Sequence, residues 1–204
     1  MEITKKWLDD LSACSDGVKW WLASKEIDSK KVVEKLMAEN KFAWANWLIV
    51  RLFDRPQGIK YAIFAAEQVI DIFEKKYPDD KRPRLAIEAA KKVLGEDTEE
   101  NRDAAEAAAA DAIYAADDAA DAANAAIYAA IYAANTAYAA YAAIHAANAA
   151  IYAANATYAA YADDAADAAT YAIYAANAGK KKLQKIIINY GLSLLEVKMR
   201  NDPA

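Results

Sequence analysis

A chain of 204 residues with a formal net charge of −5 has room for one domain or two small ones and lacks the basic balance of a general nucleic-acid binder. Its one cysteine, Cys14, excludes an intramolecular disulfide; together with a start, MEITKKWLDD, that has no apolar signal core, it predicts a reducing, cytoplasmic setting. No run of about 18 strongly apolar residues exists, so no membrane span is expected.

The first 95 residues read as a series of amphipathic helices, and all five tryptophans (Trp7, Trp20, Trp21, Trp44 and Trp47) fall in this part. ITKKWLDDLSA predicts a short helix. SDGVKWWLASK starts at a Ser15/Asp16 cap, and DSKKVVEKLMAEN at Asp28 or Ser29, since Ser and Asp side chains accept from the unpaired N–H groups of a first helical turn. FAWANWLIVRLFD then runs to a turn read in RPQG, residues 55–58. IKYAIFAAEQVIDIFEKKY carries Ile63, Val69, Ile70 and Phe73 at helical spacing and is expected to continue to Pro78. PRLAIEAAKKVLG places Pro83 in a first turn and Gly95 at a C-cap.

Residues 96–178 form the second part. Asp97 and Glu100 stand at capping-box spacing. Between Ala104 and Ala178 there are 42 alanines in 75 residues, with no Gly and no Pro, which predicts helix throughout. A single helix of 80 residues would be roughly 120 Å long at about 1.5 Å per residue. Internal repeats argue for shorter ones. Residues 129–142 match 149–162 at 12 of 14 positions, and 116–130 match 162–176 at 13 of 15. The copies lie 20 and 46 residues apart, and repeats at such periods mark stacked units. Breaks are therefore expected near Asp117-Asp118, near Asn135-Thr136, and near Asn155–Thr157 or Asp163-Asp164. Residues 179–204 read as a closing amphipathic helix anchored by Ile186, Ile187, Leu192 and Leu195. The whole predicts an all-α, multi-helix bundle with a stacked, closely packed Ala/Tyr-rich repeat region, in one continuous fold of three parts, 1–95, 96–178 and 179–204.

Alanines let helices approach closely. Tyrosine restores buried area, about 150–250 Å² per ring, and keeps a polar tip that seeks a partner. Most of these rings are read as packing, tied by hydrogen bonds to Asn and Asp on neighbouring helices. A subset, Tyr138, Tyr141, Tyr158 and Tyr161 with Asn135, Asn155 and His145, could instead line a binding face. Aromatic stacking plus amide hydrogen bonds would hold a nucleobase there. The acidic triplets Asp117-Asp118-Asp121 and Asp163-Asp164-Asp167 serve as caps and solvated faces in the plainer reading; in the sharper one they could bind a cation or do acid–base work, and Asp118 and Asp164 stand as binding candidates. No phosphate loop, nucleophile elbow or metal-ligand spacing is present, and His145 is the only histidine, so neither catalysis nor a cofactor is expected. Nine Asp, four Glu and one Arg give residues 96–178 a charge of −12, leaving +7 for the rest of the chain. An acidic stack of this kind suits a basic patch on a protein.

ACSDGVKWW, WANWLIVRLFD, RPRLAIEAAKKVL and QKIIINYGLSLL, read together, resemble a family of phage and bacterial proteins described as immunity proteins of a fifth-type immunity-like class. The resemblance covers nearly the whole chain in layout and brings no catalytic signature. It implies an intracellular, non-enzymatic protein that neutralises a bacterial toxin or a host defence effector by binding it. The alternatives are a sponge for a nucleotide-like immune signal, an acidic DNA mimic and a metal-dependent enzyme using the Asp triplets. An exposed Ala/Tyr face would favour a homo-oligomer.

Overall fold

A computed structural model describes residues 1–129, 147–152, 167–172 and 180–201. Among these residues the protein is all-α, as the sequence predicts. It has no strand, only one isolated antiparallel bridge between Glu2 and Asp28.

Four short helices build the tryptophan-rich end: α1 (Lys5–Asp10), α2 (Ser15–Ser24), α3 (Ser29–Ala38) and α4 (Phe42–Arg51). Each of the first three has a side-chain cap. Thr4 accepts from the Trp7 N–H, Cys14 Sγ from the Gly17 N–H, and Asp28 from the Lys31 N–H. The cap of α2 is thus Cys14, one residue before the expected Ser15/Asp16. Ser12, Lys25 and Asn40 take left-handed conformations in the turns that follow α1, α2 and α3, so each turn reverses the chain without a glycine.

The reading of RPQG as a turn is corrected. Residues 55–58 are the first turn of α5 (Arg55–Glu67), closed by a capping box in which Asp54 and Gln57 satisfy each other's backbone N–H groups. Pro56 fits there because the missing N–H would have no helical partner in any case. The helix expected to run on to Pro78 breaks at Gln68-Val69, and α6 (Ile70–Lys76) follows. Val69 and Ile70, at the break, are both buried. Ile63 and Phe73 are buried as expected. Helix α7 (Arg82–Gly95) starts with Pro83 in its first turn, and Arg84 grips Glu74 of α6 through two hydrogen bonds of 2.9 and 2.7 Å. Gly95 ends α7 without the left-handed conformation that a glycine cap would show.

Helix α8 (Glu99–Ala129) is unbroken, so the break expected near Asp117-Asp118 is not there. Alanine gives the backbone no reason to stop, and both aspartates project from the exposed side. Its cap is Thr98, whose hydroxyl accepts from the Asn101 N–H. Asp97 instead pairs with Arg55 and Arg102. The breaks expected near 135–136, 155–157 and 163–164 lie outside the described residues.

Helix α8 packs along α7. Ala105, Ala109, Ala112, Ala116 and Ala119 are buried on one side, and Ala86, Ile87, Ala90 and Val93 on the other. Further along the chain, residues 147–152 and 167–172 are helical, with Ala149, Ala150, Ala168, Ala169 and Ala172 wholly buried. Tyr152 and Tyr171 stack across them, ring centroids 5.1 Å apart and planes 8° from parallel. Small residues thus permit close approach while tyrosine rings supply the contact area.

The closing helix α9 (Lys180–Asn201) lies on α4 and α5. Its anchors are Leu183, Ile187, Ile188, Leu192 and Leu195. Ile186, expected among them, is 38% exposed. The buried stripe runs one residue later because Gly191, not a side chain, meets the α4–α5 surface. A Cβ there would sit 2.8 Å from both Ile49 Cδ1 and Tyr61 Cε2. Gln57 Nε2 donates to the Leu194 carbonyl at 2.7 Å, and Phe64 stacks on Tyr190 with centroids 4.0 Å apart. Buried side chains from Ile3 to Leu195 join in one core.

Candidate functional site

The periodicity of α8 separates an inner from an outer surface. At about 100° per residue, the buried positions 105, 109, 112, 115, 116 and 119 span an arc of about 120°. Exposed Asp103, Glu106, Asp111, Ile113, Tyr114 and Asp117 occupy the opposite arc of about 160°. Ile113 is 45% exposed and Tyr114 is 64% exposed. The two side chains point about 100° apart and put apolar area on an otherwise acidic arc.

The charges around this pair are uncompensated. Asp103, Glu106, Asp111 and Asp117 have no ion-pair partner among the described residues. Asp118, at the edge of the arc, differs. Arg82 at the start of α7 donates to Asp118 at 2.6 Å and to Asp80 at 2.7 Å. The two carboxylates raise the Arg82 guanidinium, Asp80 contributing most, and Arg82 in turn holds Asp80 below its ordinary carboxylate range. Asp118 therefore helps fix α8 against α7.

Asp118 is the only sequence-predicted contact residue within the described residues. Tyr138, Tyr141, Tyr158, Tyr161, Asn135, Asn155, His145 and Asp164 lie outside them. Ile113 was not singled out from the sequence, and Tyr114 was read only as one of many tyrosines. The signal that finds them is the helical wheel: alanine marks the inner arc, leaving Ile113 and Tyr114 on the acidic side.

Among the described residues no group of three or more His, Cys, Asp or Glu side chains could hold a metal ion, and no helix is long and apolar enough to cross a membrane. Elsewhere in the molecule, α1–α4 form an apolar cavity of about 350 Å³. Trp20, Trp21, Trp44 and Trp47 line it, with the Cys14 thiol at its exposed edge.

Compared with known proteins, residues 50–189 match a family model described as Imm-5 like putative immunity protein. No curated protein and no solved structure matches the chain.

Proposed function

Because the chain belongs to the Imm-5 like putative immunity protein family, we propose that it neutralises a bacterial toxin or a defence effector by stoichiometric binding in the cytoplasm, without catalysis, and that the outward face of α8 makes the contact. The observation that carries this reading is the exposed Ile113–Tyr114 pair set among the unpaired carboxylates of Asp103, Glu106, Asp111 and Asp117. Apolar side chains interspersed with charge let an interface combine affinity with specificity. The partner that fits is a protein with a basic rim around an apolar recess. Long-range attraction between the two borders would raise the association rate, and burial of Tyr114 would slow dissociation.

Support also comes from the stiffness of the face. Helix α8 is one continuous element, bound along α7 and tied at Arg82–Asp118 and Arg102–Asp97. A binder that presents its contacts on a rigid element loses little entropy on association. The test is affinity capture from bacterial lysate with tagged protein, beside the Tyr114→Ala/Asp111→Lys double variant, with the mass of each complex read by light scattering. The expected result is a basic protein retained by the parent in a fixed ratio and released from the variant. A partner held equally by both would remove α8 from the interface.

A further inference from the structure

We propose that the tryptophan-lined cavity between α1 and α4 is a binding site for a small, uncharged, largely apolar ring compound. Its volume, about 350 Å³, falls at the lower end of the range of ligand pockets, roughly 300–1,000 Å³, and admits one or two fused rings with a short substituent. Buried Leu8, Val32, Leu36 and Leu48 form its base. The exposed residues Ser12, Cys14 and Ala43 mark its mouth.

The class of ligand follows from what lines the site. No lining residue carries a charge, so a phosphate, carboxylate or ammonium group would lose its hydration with nothing to replace it. The Trp21 indole N–H offers nothing to a ligand, because that nitrogen is sealed from solvent. Beside the indoles, the polar side chains of the lining are the Ser12 hydroxyl and the Cys14 thiol at the rim. The lining thus selects ring area over polarity.

Three of the rings are held in place without a ligand. Trp20 Nε1 donates to Glu39 Oε2 at 2.7 Å, and its ring lies 6.3 Å from that of Trp44 at a 58° tilt. The Lys41 ammonium lies 5.0 Å from the Trp44 ring centroid, and the Arg51 guanidinium 4.1 Å from that of Trp47. Cation–π contacts of this kind restrain the indoles. A site with its walls already ordered costs less to fill. The cavity is built by residues 3–48, whereas the family match begins at residue 50. The inference is therefore independent of the immunity reading.

The experiment uses the full chain and two probes of almost the same shape. N-phenyl-1-naphthylamine is neutral, and 8-anilino-1-naphthalenesulfonate adds a charge. The neutral probe should bind saturably at one per chain, quench tryptophan emission and raise Tm. It should also slow labelling of Cys14, the only cysteine, by a thiol reagent. The charged probe should bind at least about tenfold more weakly. Ala43→Trp, at an exposed position on the mouth, should keep the helical circular dichroism and lower the neutral probe's affinity about tenfold or more. If that variant unfolds, Ala13→Leu takes its place. Absence of saturable binding, equal binding of the two probes, unprotected Cys14, or unchanged affinity in a folded mouth variant would each overturn the proposal.

Discussion

Gly191 of α9 rests on the ring of Tyr61 so closely that a Cβ on Gly191 would lie 2.8 Å from Tyr61 Cε2, with Ile49 Cδ1 equally near and Phe53 Cζ at 3.2 Å. All three neighbours belong to the surface that α9 covers, and Ile49 and Tyr61 have no exposed area. Gly191→Ala would gain about 0.5–1 kcal/mol of helix propensity. Overpacking against two immobile side chains costs typically 1–3 kcal/mol. The substitution should therefore destabilise by up to about 2.5 kcal/mol, and Gly191→Val by more. Urea midpoints of the two variants check the order; an Ala variant more stable than the parent would show that α9 shifts freely.

Tyr61 also hydrogen-bonds to Asn46. Its hydroxyl donates to Asn46 Oδ1 at 2.8 Å, with both residues buried, and burial pushes the phenol well above its ordinary value. Tyr61→Phe preserves shape but deprives the buried Asn46 carbonyl of this donor, a loss of about 1–3 kcal/mol. Asn46→Ala, alone and combined with Tyr61→Phe, completes the set. A double-variant cycle in denaturant tests the coupling, and additive losses would mean that the hydrogen bond contributes nothing.

Acid should weaken the α6–α7–α8 junction. Arg82 lowers Asp80 from its ordinary 3.8, and Arg84 lowers Glu74 from 4.5. A carboxyl whose folded pKa is depressed adds stability above its unfolded value, and that stability is lost as pH falls through the folded value. Stability should hold from neutrality to about pH 4.5 and decline below it. The Asp80→Asn/Glu74→Gln variant should be weaker near neutral pH and converge on the parent in acid. Thermal midpoints across that range decide; a constant gap would place the difference in packing.

On the outer face of α8, Tyr114→Ala should change stability by no more than about 0.5 kcal/mol, as exposed positions do. It should nevertheless weaken partner binding roughly tenfold or more, mostly through faster dissociation. Asp111→Lys and Asp117→Lys should instead slow association and reduce its dependence on salt. Surface plasmon resonance at two salt concentrations separates the two effects. Loss of binding in Tyr114→Ala with a matching loss of helicity would assign that residue to folding.

The parts of the fold legible in the sequence were those fixed by local chemistry. Asp28, one of the two caps expected for α3, caps it, Pro83 falls in the first turn of α7, and the Ile63–Phe73 pattern points to the core. The misses arose where tertiary contact or a second local rule decided. Arg55-Pro56-Gln57-Gly58 has turn composition, yet Asp54 and Gln57 turned it into a helix start. Ile186 and Ile188 are equally apolar, and only the seating of Gly191 on α4 and α5 determined which was buried. Asp117 and Asp118 resemble caps, but within a run of alanines they became surface residues. The α8 face was hidden for a related reason: alanine count drew attention to composition, while the information lay in phase. The cavity needed four helices to bring together tryptophans that composition alone could only count.

The seat of α9 on α5 also sets a timetable for synthesis. Gln57 and Leu194, which meet at 2.7 Å, are 137 residues apart in sequence. At about 5–20 residues per second, a ribosome needs roughly 7–27 s to travel that distance. During that interval the part of α5 that α9 covers is already made but lacks α9. Slow translation of the Ala-rich stretch would lengthen that interval.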